Sequence, residues 1–322
     1  MKNNTFEEIA EVLASAGKVL IFPHINADGD AIGSSAALCR ALRSLGKECY
    51  ILIEDEIAGN LKFLDDGLTT SDTGVMKADV SVCVDCGETG RFPLRAEKFA
   101  EAPVTVCIDH HETSKGFCTY NHIDPDAAAT AQLVFRLIKA MGVEIDKAMG
   151  EAVFAGILTD TGSFRYSNTQ KETHLIAAEL YDSGIDAAGV AQEIFETVRI
   201  ERLLVENRAV ETMVTLHGGK AVLAYVTQEM LRETGATMDE TEGVVGQLRS
   251  IAGVELAVFL KEYAPEEIKV SLRSKKYVDV AKFSSDFNGG GHERAAGFTL
   301  RCPIAEAFDR VKEYVSAMPE MK

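Results

Sequence analysis

The sequence contains no tryptophan, and aromatic residues make up only 7% of its 322 residues. A channel that stacks the successive bases of a long single strand is typically lined by aromatic and basic side chains, so this composition disfavours one. Basic residues are also scarce, since 33 lysines and arginines face 50 acidic residues and leave a formal net charge of -17. Affinity for a long polyanion comes largely from basic side chains that neutralise phosphates. Long duplex nucleic acid is therefore not expected as a partner.

Long apolar segments are missing as well. No stretch approaches the roughly 18 uncharged residues that a membrane-spanning helix requires, so we expect no membrane partner. The amino terminus lacks the apolar core of a signal peptide, and Phe6, Ile9 and Leu13 instead predict one face of an amphipathic helix.

The seven cysteines are an odd number scattered through apolar segments, which is typical of reduced, buried thiols. Cys83 and Cys86 have a C-x-x-C spacing, but no second pair accompanies them as a zinc site would require. We therefore interpret these two cysteines as structural. Reduced thiols predict a cytoplasmic protein.

The chain is long enough for two compact domains. Between Lys18 and about Asp160, short β-branched runs alternate with helical periodicity, which predicts an α/β domain with a parallel sheet. We place this domain at residues 1–195, a connecting helix at 196–214 and a smaller mixed α/β domain at 215–322. The predicted strands are KVLIF, ECYILI, VSVCV and VTVCI in the first domain, and VLAYVT, VELAVFL, IKVSLRS and GFTL in the second.

Acidic residues and histidines follow three of the predicted strands directly. KVLIF leads to His24, Asp28 and Asp30, VSVCV leads to Asp85, and VTVCI leads to Asp109, His110 and His111. Ligands bind at the carboxyl ends of the strands in open α/β sheets, so these groups can converge in space. Asp160, where a helical run stops before Gly162, is a fourth candidate.

This set of carboxylates and imidazoles suits Mn²⁺ or Mg²⁺ better than a thiolate-bound zinc ion. It offers more ligands than one ion needs, so we expect two. An ordinary turn is the competing interpretation of Asp28-Gly29-Asp30, but His24 four residues earlier favours a site. Asp85 or Asp160 alone would not indicate a site, and each becomes a candidate ligand only in combination with the other residues.

Four segments resemble, in order and spacing, the motifs of DHH phosphoesterases: HINADGDAIGS, VCVDCGETGR, CIDHHETS and GILTDTGSF. GGGHERAAG resembles the motif of the DHH-associated C-terminal domain, so the resemblance covers nearly the whole chain. The two-domain architecture is most similar to bacterial phosphatases of nanoRNA and of 3',5'-bisphosphonucleotides (pAp). Gln132 departs from the family pattern, because many relatives are expected to carry glutamate there.

The resemblance implies two metal positions. One manganese ion would be held by His24 and Asp28, the other by Asp30, His110 and Asp160, and both by Asp85. Two ions about 3.5 to 4 Å apart can share a hydroxide and place it in line with a phosphorus centre.

Two further roles follow from the same resemblance. Asp109 would orient His110, as metal-bound imidazoles commonly require. His111 would hydrogen-bond a phosphoryl oxygen or protonate the leaving oxygen.

In the second domain, the resemblance implies a nucleotide-binding loop that faces the metal cleft. The loop comprises Gly289, Gly290, Gly291 and His292, and Arg273 would assist because a guanidinium matches the geometry of a phosphate. A tight turn is the competing interpretation of the three glycines, but the histidine and the small residues after it favour a ligand.

The leading prediction is an enzyme that hydrolyses short RNA, or linear dinucleotides such as pApA, to mononucleotides, with pAp phosphatase activity at the same site. A manganese pyrophosphatase is disfavoured because it is not expected to carry GGGHERAAG. A RecJ-type exonuclease on single strands and, from a different class, a non-catalytic nucleotide sensor stay open as alternatives. The resemblance also allows a homodimer, for which the sequence shows no interface.

Overall fold

The computed structural model describes residues 3–319. The contacts along the chain divide it into two units, Met1–Thr197 and Val198–Lys322. Within residues 3–319, no helix has both the length and the apolar character needed to cross a membrane.

The first unit is built on a parallel sheet, as the alternation of strand and helix signals predicted. Its described strands are β1 (Lys18–Phe22), β2 (Glu48–Leu52), β3 (Thr69–Thr70), β4 (Val80–Val84), β5 (Val104–Asp109) and β6 (Tyr120–Ile123). They lie in the order β3-β2-β1-β4-β5-β6, and every neighbouring pair is parallel. The edge strands β3 and β6 were not predicted, because they are short and lack an apolar run.

Helices cover both faces of this sheet. They are α1 (Phe6–Ser15), α2 (Gly29–Ser44), α3 (Ala96–Ala100), α4 (Thr130–Ala140), α5 (Lys147–Asp160), α6 (Lys171–Leu180) and α7 (Ala187–Phe195). Alternate strand residues point to opposite faces, so Val82 and Ile108 join one apolar cluster while Cys83 and Cys107 join another. The central strands therefore read as continuous apolar runs, as is typical of parallel sheets.

Two glycines let α2 and α5 approach closely. A Cβ added to Gly33 would lie 2.4 Å from the carbonyl oxygen of Ala152. A Cβ added to Gly156 would lie 2.6 Å from Ala131 Cβ and 2.8 Å from Asp30 Oδ1. The absence of these side chains brings the first turn of α2 against α5 and so sets the position of Asp30.

The second unit contains a mixed sheet in the order β11-β12-β10-β9-β8-β7. Its described elements are α8 (Ile200–Glu211), β7 (Val214–Leu216), β8 (Ala221–Val226), α9 (Gln228–Thr234), α10 (Val244–Ser250), β9 (Leu256–Ala264), β10 (Glu267–Ser274), α11 (Val280–Ser285), β11 (Gly290–His292), β12 (Ala295–Leu300) and α12 (Ile304–Ala317). The predicted connecting helix corresponds to α8, whose Val205 and Ala209 pack into an apolar cluster with β8 and β9.

A buried glutamate stabilises the turn after β10. Glu255 is 4% exposed, and its carboxylate accepts hydrogen bonds from the backbone amides of Lys276, Tyr277 and Val278. Burial acts to raise the pKa of Glu255, but the bonds from Val278 and the two preceding amides outweigh it and leave the pKa below its usual value.

The three-glycine segment is not the loop that we expected. Gly290–His292 forms β11, an edge strand paired antiparallel with β12. A Cβ at Gly291 would lie 2.5 Å from the carbonyl oxygen of Ala295, and its φ of 142° is one that residues with side chains rarely adopt. Glycine therefore permits close strand pairing at this position.

Candidate metal centre

The first turn of α2 places acidic groups beside the end of β1. Asp28 caps the helix, because its Oδ1 accepts hydrogen bonds from the amides of Asp30 and Ala31, both at 3.0 Å. His24 Nε2 lies 3.9 Å from the same oxygen. The other ring nitrogen, Nδ1, lies 2.7 Å from the carbonyl oxygen of Ile25. Because a carbonyl can only accept, Nδ1 carries the proton of the neutral ring and Nε2 keeps a lone pair for a cation.

Asp30 is 1% exposed, and the amino terminus of α4 holds its carboxylate. Thr130 N lies 2.6 Å from Oδ2, and Ala131 N lies 2.8 Å from Oδ1. Backbone amides at a helix start favour a negative charge. Burial nevertheless raises the pKa of Asp30 well above its usual value, and the neighbouring carboxylates add to this. A bound cation would relieve both effects.

Asp85 lies at the centre of the cluster. It follows β4 with a φ of 56°, in the left-handed region that residues other than glycine rarely adopt. Its Oδ1 lies 3.6 Å from His110 Nε2 and accepts a 2.8 Å hydrogen bond from Thr130 Oγ1. Its Oδ2 lies 3.5 Å from His24 Nε2. The two oxygens of one carboxylate thus face two different imidazoles.

The charge state of Asp85 follows from these neighbours. Burial acts to raise the pKa of Asp85, but the hydrogen bond with His24 and the nearby His111 and His110 lower it below its usual range. The carboxylate is therefore ionised, as a metal ligand must be.

His110 joins β5 to the end of α5. Its Nε2 lies 3.4 Å from Asp160 Oδ2 and 3.9 Å from Asp30 Oδ2. Its Nδ1 lies 3.1 Å from the carbonyl oxygen of Ala127, so this ring also directs Nε2 at the acidic groups. Asp160 is the last residue of α5, and burial raises the pKa of its carboxyl to about 7.

Asp109 supports His111, and the prediction that it orients the His110 ring is wrong. Asp109 Oδ1 lies 2.7 Å from His111 Nδ1 and accepts hydrogen bonds from the backbone amides of His110 and His111. The Asp109 carboxylate, at the end of β5, therefore binds the loop that follows the strand. The His110 ring is supported instead by the carbonyl oxygen of Ala127. The hydrogen bond with Asp109 raises the pKa of His111 to about 9.

The predicted site residues of the first unit converge. Among the described residues, three overlapping groups have ligand atoms within 4.8 Å of one another: His24, Asp28 and Asp85; Asp30, His110 and Asp160; and Asp85, His110 and His111. The first two groups have the composition that the family resemblance implied for the two metal positions, and Asp85 belongs to two of the three.

Known families match both units. Residues 18–157 match the DHH family, N-terminal domain, and residues 218–318 match the DHHA1 domain. The sequence is 36% identical to the bifunctional oligoribonuclease and PAP phosphatase NrnA of Thermus thermophilus over 95% of this chain and 92% of that protein. The chain belongs to the DHH family. It is therefore a hydrolase of the metal-dependent DHH phosphoesterase class, as the sequence motifs predicted.

Solved structures show the DHH fold as well. An exopolyphosphatase-related protein from Bacteroides fragilis superposes with a TM-score of 0.89 at 29% identity, covering 96% of this chain and 94% of that protein. RecJ from Thermus thermophilus, solved in complex with Mn²⁺, has a TM-score of 0.57 at 17% identity and covers 99% of this chain and 56% of RecJ. The likeness to RecJ is one of fold alone.

The predicted nucleotide-binding residues lie together in the DHHA1 unit. Arg273 in β10 and His292 in β11 both pair with Ala295, from opposite sides of β12. Gly290 and Gly291 continue β11 on the same edge. Arg273 is half-buried and His292 is exposed. Their contact with a nucleotide stays a prediction.

Sequence reasoning missed two uncharged residues that support the candidate metal ligands of the DHH unit. Thr130 contacts Asp85 and Asp30, and a threonine at the start of a predicted helix is the signal that could have identified it. Asn168 Nδ2 donates to the carbonyl oxygens of Asp160 and Ala128. Nothing in the local sequence indicates that contact, because it depends on how the chain turns after α5.

Gln132, the departure from the family pattern, lies in the same helix as Thr130. It is 2% exposed, and its Oε1 accepts a 3.3 Å hydrogen bond from Thr173 Oγ1. The amide oxygen of Gln132 therefore has a hydrogen-bond donor at this buried position.

Proposed function

We propose that this DHH protein is a Mn²⁺-dependent phosphoesterase that hydrolyses short oligoribonucleotides and linear dinucleotides to mononucleotides, with pAp phosphatase activity at the same site. The observation that carries the proposal is the convergence of acidic and histidine side chains in three overlapping groups, two of which contain Asp85. Similarity to the oligoribonuclease and PAP phosphatase NrnA over 95% of the chain supports the substrate class. We propose that the enzyme acts in the cytoplasm.

The residues present fit divalent cations. His24 and His110 each direct Nε2 at carboxylates while a backbone carbonyl occupies Nδ1. Asp30 and Asp160 are destabilised as anions by burial, which a cation would reverse. Oxygen ligands with imidazoles favour Mn²⁺, with Mg²⁺ as the alternative ion, over a thiolate-bound metal.

Two ions would be held by the two groups that the family resemblance implied. These are His24 and Asp28 for one ion, Asp30, His110 and Asp160 for the other, and Asp85 for both. When bound, such ions supply Lewis acidity and lower the pKa of water, which makes hydroxide available at neutral pH.

His111 is the residue that we assign to proton transfer. Its ring is held by the 2.7 Å contact with Asp109, so its orientation is fixed before substrate arrives. The same contact raises the pKa of His111, which favours the protonated ring at neutral pH. A protonated imidazole can donate to a phosphoryl oxygen or to the leaving oxygen of a phosphate ester.

The net charge of the protein and the residues of the DHHA1 unit both favour a small nucleotide substrate. We assign recognition of the nucleotide or its terminal phosphate to Arg273, His292 and the Gly289 to Gly291 segment. A guanidinium binds phosphate with two parallel hydrogen bonds. The net charge of -17 opposes long polyanions, which favours substrates with few phosphates.

The test is product release from pApA, a pentanucleotide RNA and pAp, with Mn²⁺ or with EDTA. We expect hydrolysis of all three substrates with Mn²⁺, and its loss with EDTA and in Asp85→Ala and His110→Ala. Asp182→Ala is the matched control, because Asp182 is an exposed acid of the same unit. It should keep the activity of the unaltered protein.

Other outcomes separate the alternatives. Tight nucleotide binding without turnover in the presence of Mn²⁺ would indicate a sensor. Efficient digestion of long single strands together with poor hydrolysis of pApA would indicate a RecJ-type exonuclease. Either result would overturn the proposed activity.

A further inference from the structure

The two candidate metal positions differ in how the chain holds their ligands. The first, which we call the His24 position, consists of His24 and Asp28. His24 Nδ1 lies 2.7 Å from the carbonyl oxygen of Ile25, and Asp28 Oδ1 accepts hydrogen bonds from the amides of Asp30 and Ala31. All of these contacts join near neighbours in the sequence, so one short loop supports this position.

The second position, which we call the His110 position, consists of three residues that are distant in sequence: Asp30, His110 and Asp160. A separate segment supports it, residues 127–131, which we call the α4 entry. Within this segment, Thr130 N donates to Asp30 Oδ2 at 2.6 Å, and Ala131 N donates to Asp30 Oδ1 at 2.8 Å. The amino terminus of α4 therefore holds a carboxylate from 100 positions earlier in the chain.

This contact takes the place of a local helix cap. The first amides of a helix have no partner within the helix, and a side-chain oxygen of the N-cap residue usually accepts from them. Ala129 is the N-cap residue of α4, and its side chain makes no such hydrogen bond. The carboxylate of Asp30 binds two of these amides instead. The first turn of α4 and the Asp30 side chain thus hold each other in place.

Thr130 also binds a second candidate ligand. Its Oγ1 donates to Asp85 Oδ1 at 2.8 Å, and the residue is fully buried. Asp85 Oδ1 is the oxygen that lies 3.6 Å from His110 Nε2, whereas Oδ2 lies 3.5 Å from His24 Nε2. The hydroxyl therefore holds the half of the Asp85 carboxylate that faces the His110 position.

Two backbone carbonyls of the α4 entry complete the support. The carbonyl oxygen of Ala127 lies 3.1 Å from His110 Nδ1. The carbonyl oxygen of Ala128 accepts from Asn168 Nδ2 at 2.9 Å, and the same amide donates to the carbonyl oxygen of Asp160 at 3.1 Å. The α4 entry thus contacts, directly or through one side-chain amide, all three residues of the His110 position.

We propose, on the basis of the two metal positions in the proposed function, that Thr130 is a positioning residue for the His110 position alone. Thr130 holds Asp30 through its amide and Asp85 through its hydroxyl, so one residue sets the placement of two ligands relative to each other. Loss of an outer partner of this kind typically weakens metal binding by about 10- to 100-fold. The His24 position, which its own loop supports, should keep its affinity.

The first experiment titrates the metal-free, full-length protein with Mn²⁺ and follows the free ion by electron paramagnetic resonance. In Thr130→Val, which keeps the shape of the side chain and removes its hydroxyl, affinity at one of two sites should fall by about 10- to 100-fold. Thr130→Ser should restore it. Thr173→Val is the matched control, because Thr173 is a fully buried threonine of the same unit whose hydroxyl donates to Gln132. It should leave both affinities unchanged.

Paired variants identify the site that is affected. His24→Ala leaves the ligands of the His110 position intact, and the addition of Thr130→Val should weaken binding of the ion that remains. His110→Ala leaves the His24 position intact, and the addition of Thr130→Val should change nothing. Equal effects in both backgrounds, or unchanged affinities in Thr130→Val alone, would overturn the proposal.

A readout without metal separates this proposal from the proposed function. In EDTA, amide hydrogen exchange of the peptide that contains residues 130 and 131 should be faster in Asp30→Ala, because the carboxylate that binds these amides is gone. Asp28→Ala, which removes the acid that caps α2, should leave this peptide unchanged. Equal exchange in Asp30→Ala and the unaltered protein would refute the link between α4 and the ligand. Absence of Mn²⁺ binding by the unaltered protein would instead refute the proposed metal dependence.

Discussion

Replacement of Arg95 by methionine should destabilise the DHH unit strongly. Arg95 is 2% exposed, and its Nε lies 3.0 Å from Glu54 Oε1, on a side chain that is 5% exposed. Its Nη2 donates to the carbonyl oxygen of Pro23 at 3.0 Å, and its Nη1 donates to that of Leu52. One guanidinium therefore joins the ends of β1 and β2 directly behind His24.

The magnitude follows from what the substitution leaves behind. Removing one partner of a buried ion pair typically costs about 3 to 5 kcal/mol, because the other charge stays buried without compensation. The Pro23 and Leu52 carbonyls also lose a donor. Against a total domain stability of about 5 to 15 kcal/mol, Arg95→Met should remove about a fifth or more of the free energy of unfolding.

The assay is urea unfolding followed by far-ultraviolet circular dichroism, with Arg91→Met as the matched exposed control. The double variant Glu54→Met/Arg95→Met should recover much of the loss, because it leaves no unpaired charge. Mn²⁺ affinity should fall in Arg95→Met even under conditions where the protein stays folded, since Pro23 precedes His24. A loss of stability within about 0.5 kcal/mol, the range of ordinary surface substitutions, would show that the buried ion pair does not stabilise the unit as expected.

Three further predictions concern other parts of the molecule. Gly156→Ala should lower the free energy of unfolding by about 1 to 3 kcal/mol through overpacking. It should also weaken Mn²⁺ binding in a titration, because the added Cβ meets the Asp30 carboxylate. Gly246→Ala, where a Cβ has open space, is the control and should do neither. Glu255 has a lowered pKa in the folded protein. Its contribution to stability is therefore present above its ordinary pKa of about 4.3 and is lost as the pH falls through its pKa in the folded state. Glu255→Gln should lower stability at pH 7 and flatten its dependence on acid in urea unfolding, and an unchanged acid dependence would contradict this. Asp109→Asn should lower the turnover of pApA by about 10²- to 10⁴-fold with little change in Mn²⁺ affinity, and equal losses of both would place Asp109 among the metal ligands instead.

The sequence predicted the parallel sheet and the convergence of the acidic groups for one physical reason. Parallel strands buried on both faces form continuous apolar runs, and their carboxyl ends meet at one edge of the sheet. His24, Asp85 and His110 each follow such a run, so their proximity could be inferred without knowledge of the helices. Asp160 was placed correctly at the end of a helix because the run before Gly162 is long and apolar.

Side-chain directions and buried polar pairs could not be predicted in this way. His110 and His111 are neighbours in the chain, and nothing in the local sequence states which ring faces Asp109. Arg95 and Glu54 are separated by 41 positions, and their pairing depends on how two loops pack.

We propose that the acid and histidine cluster around Asp85 binds the ions that hydrolysis requires. The most direct measurement is a Mn²⁺ titration of the metal-free protein in which binding and pApA hydrolysis are followed in the same samples, for the unaltered protein and for Asp85→Asn. We expect turnover to rise with Mn²⁺ occupancy in the unaltered protein, and both binding and turnover to be lost in Asp85→Asn. Full turnover in the metal-free protein, or in Asp85→Asn, would show that hydrolysis does not depend on ions bound at this cluster.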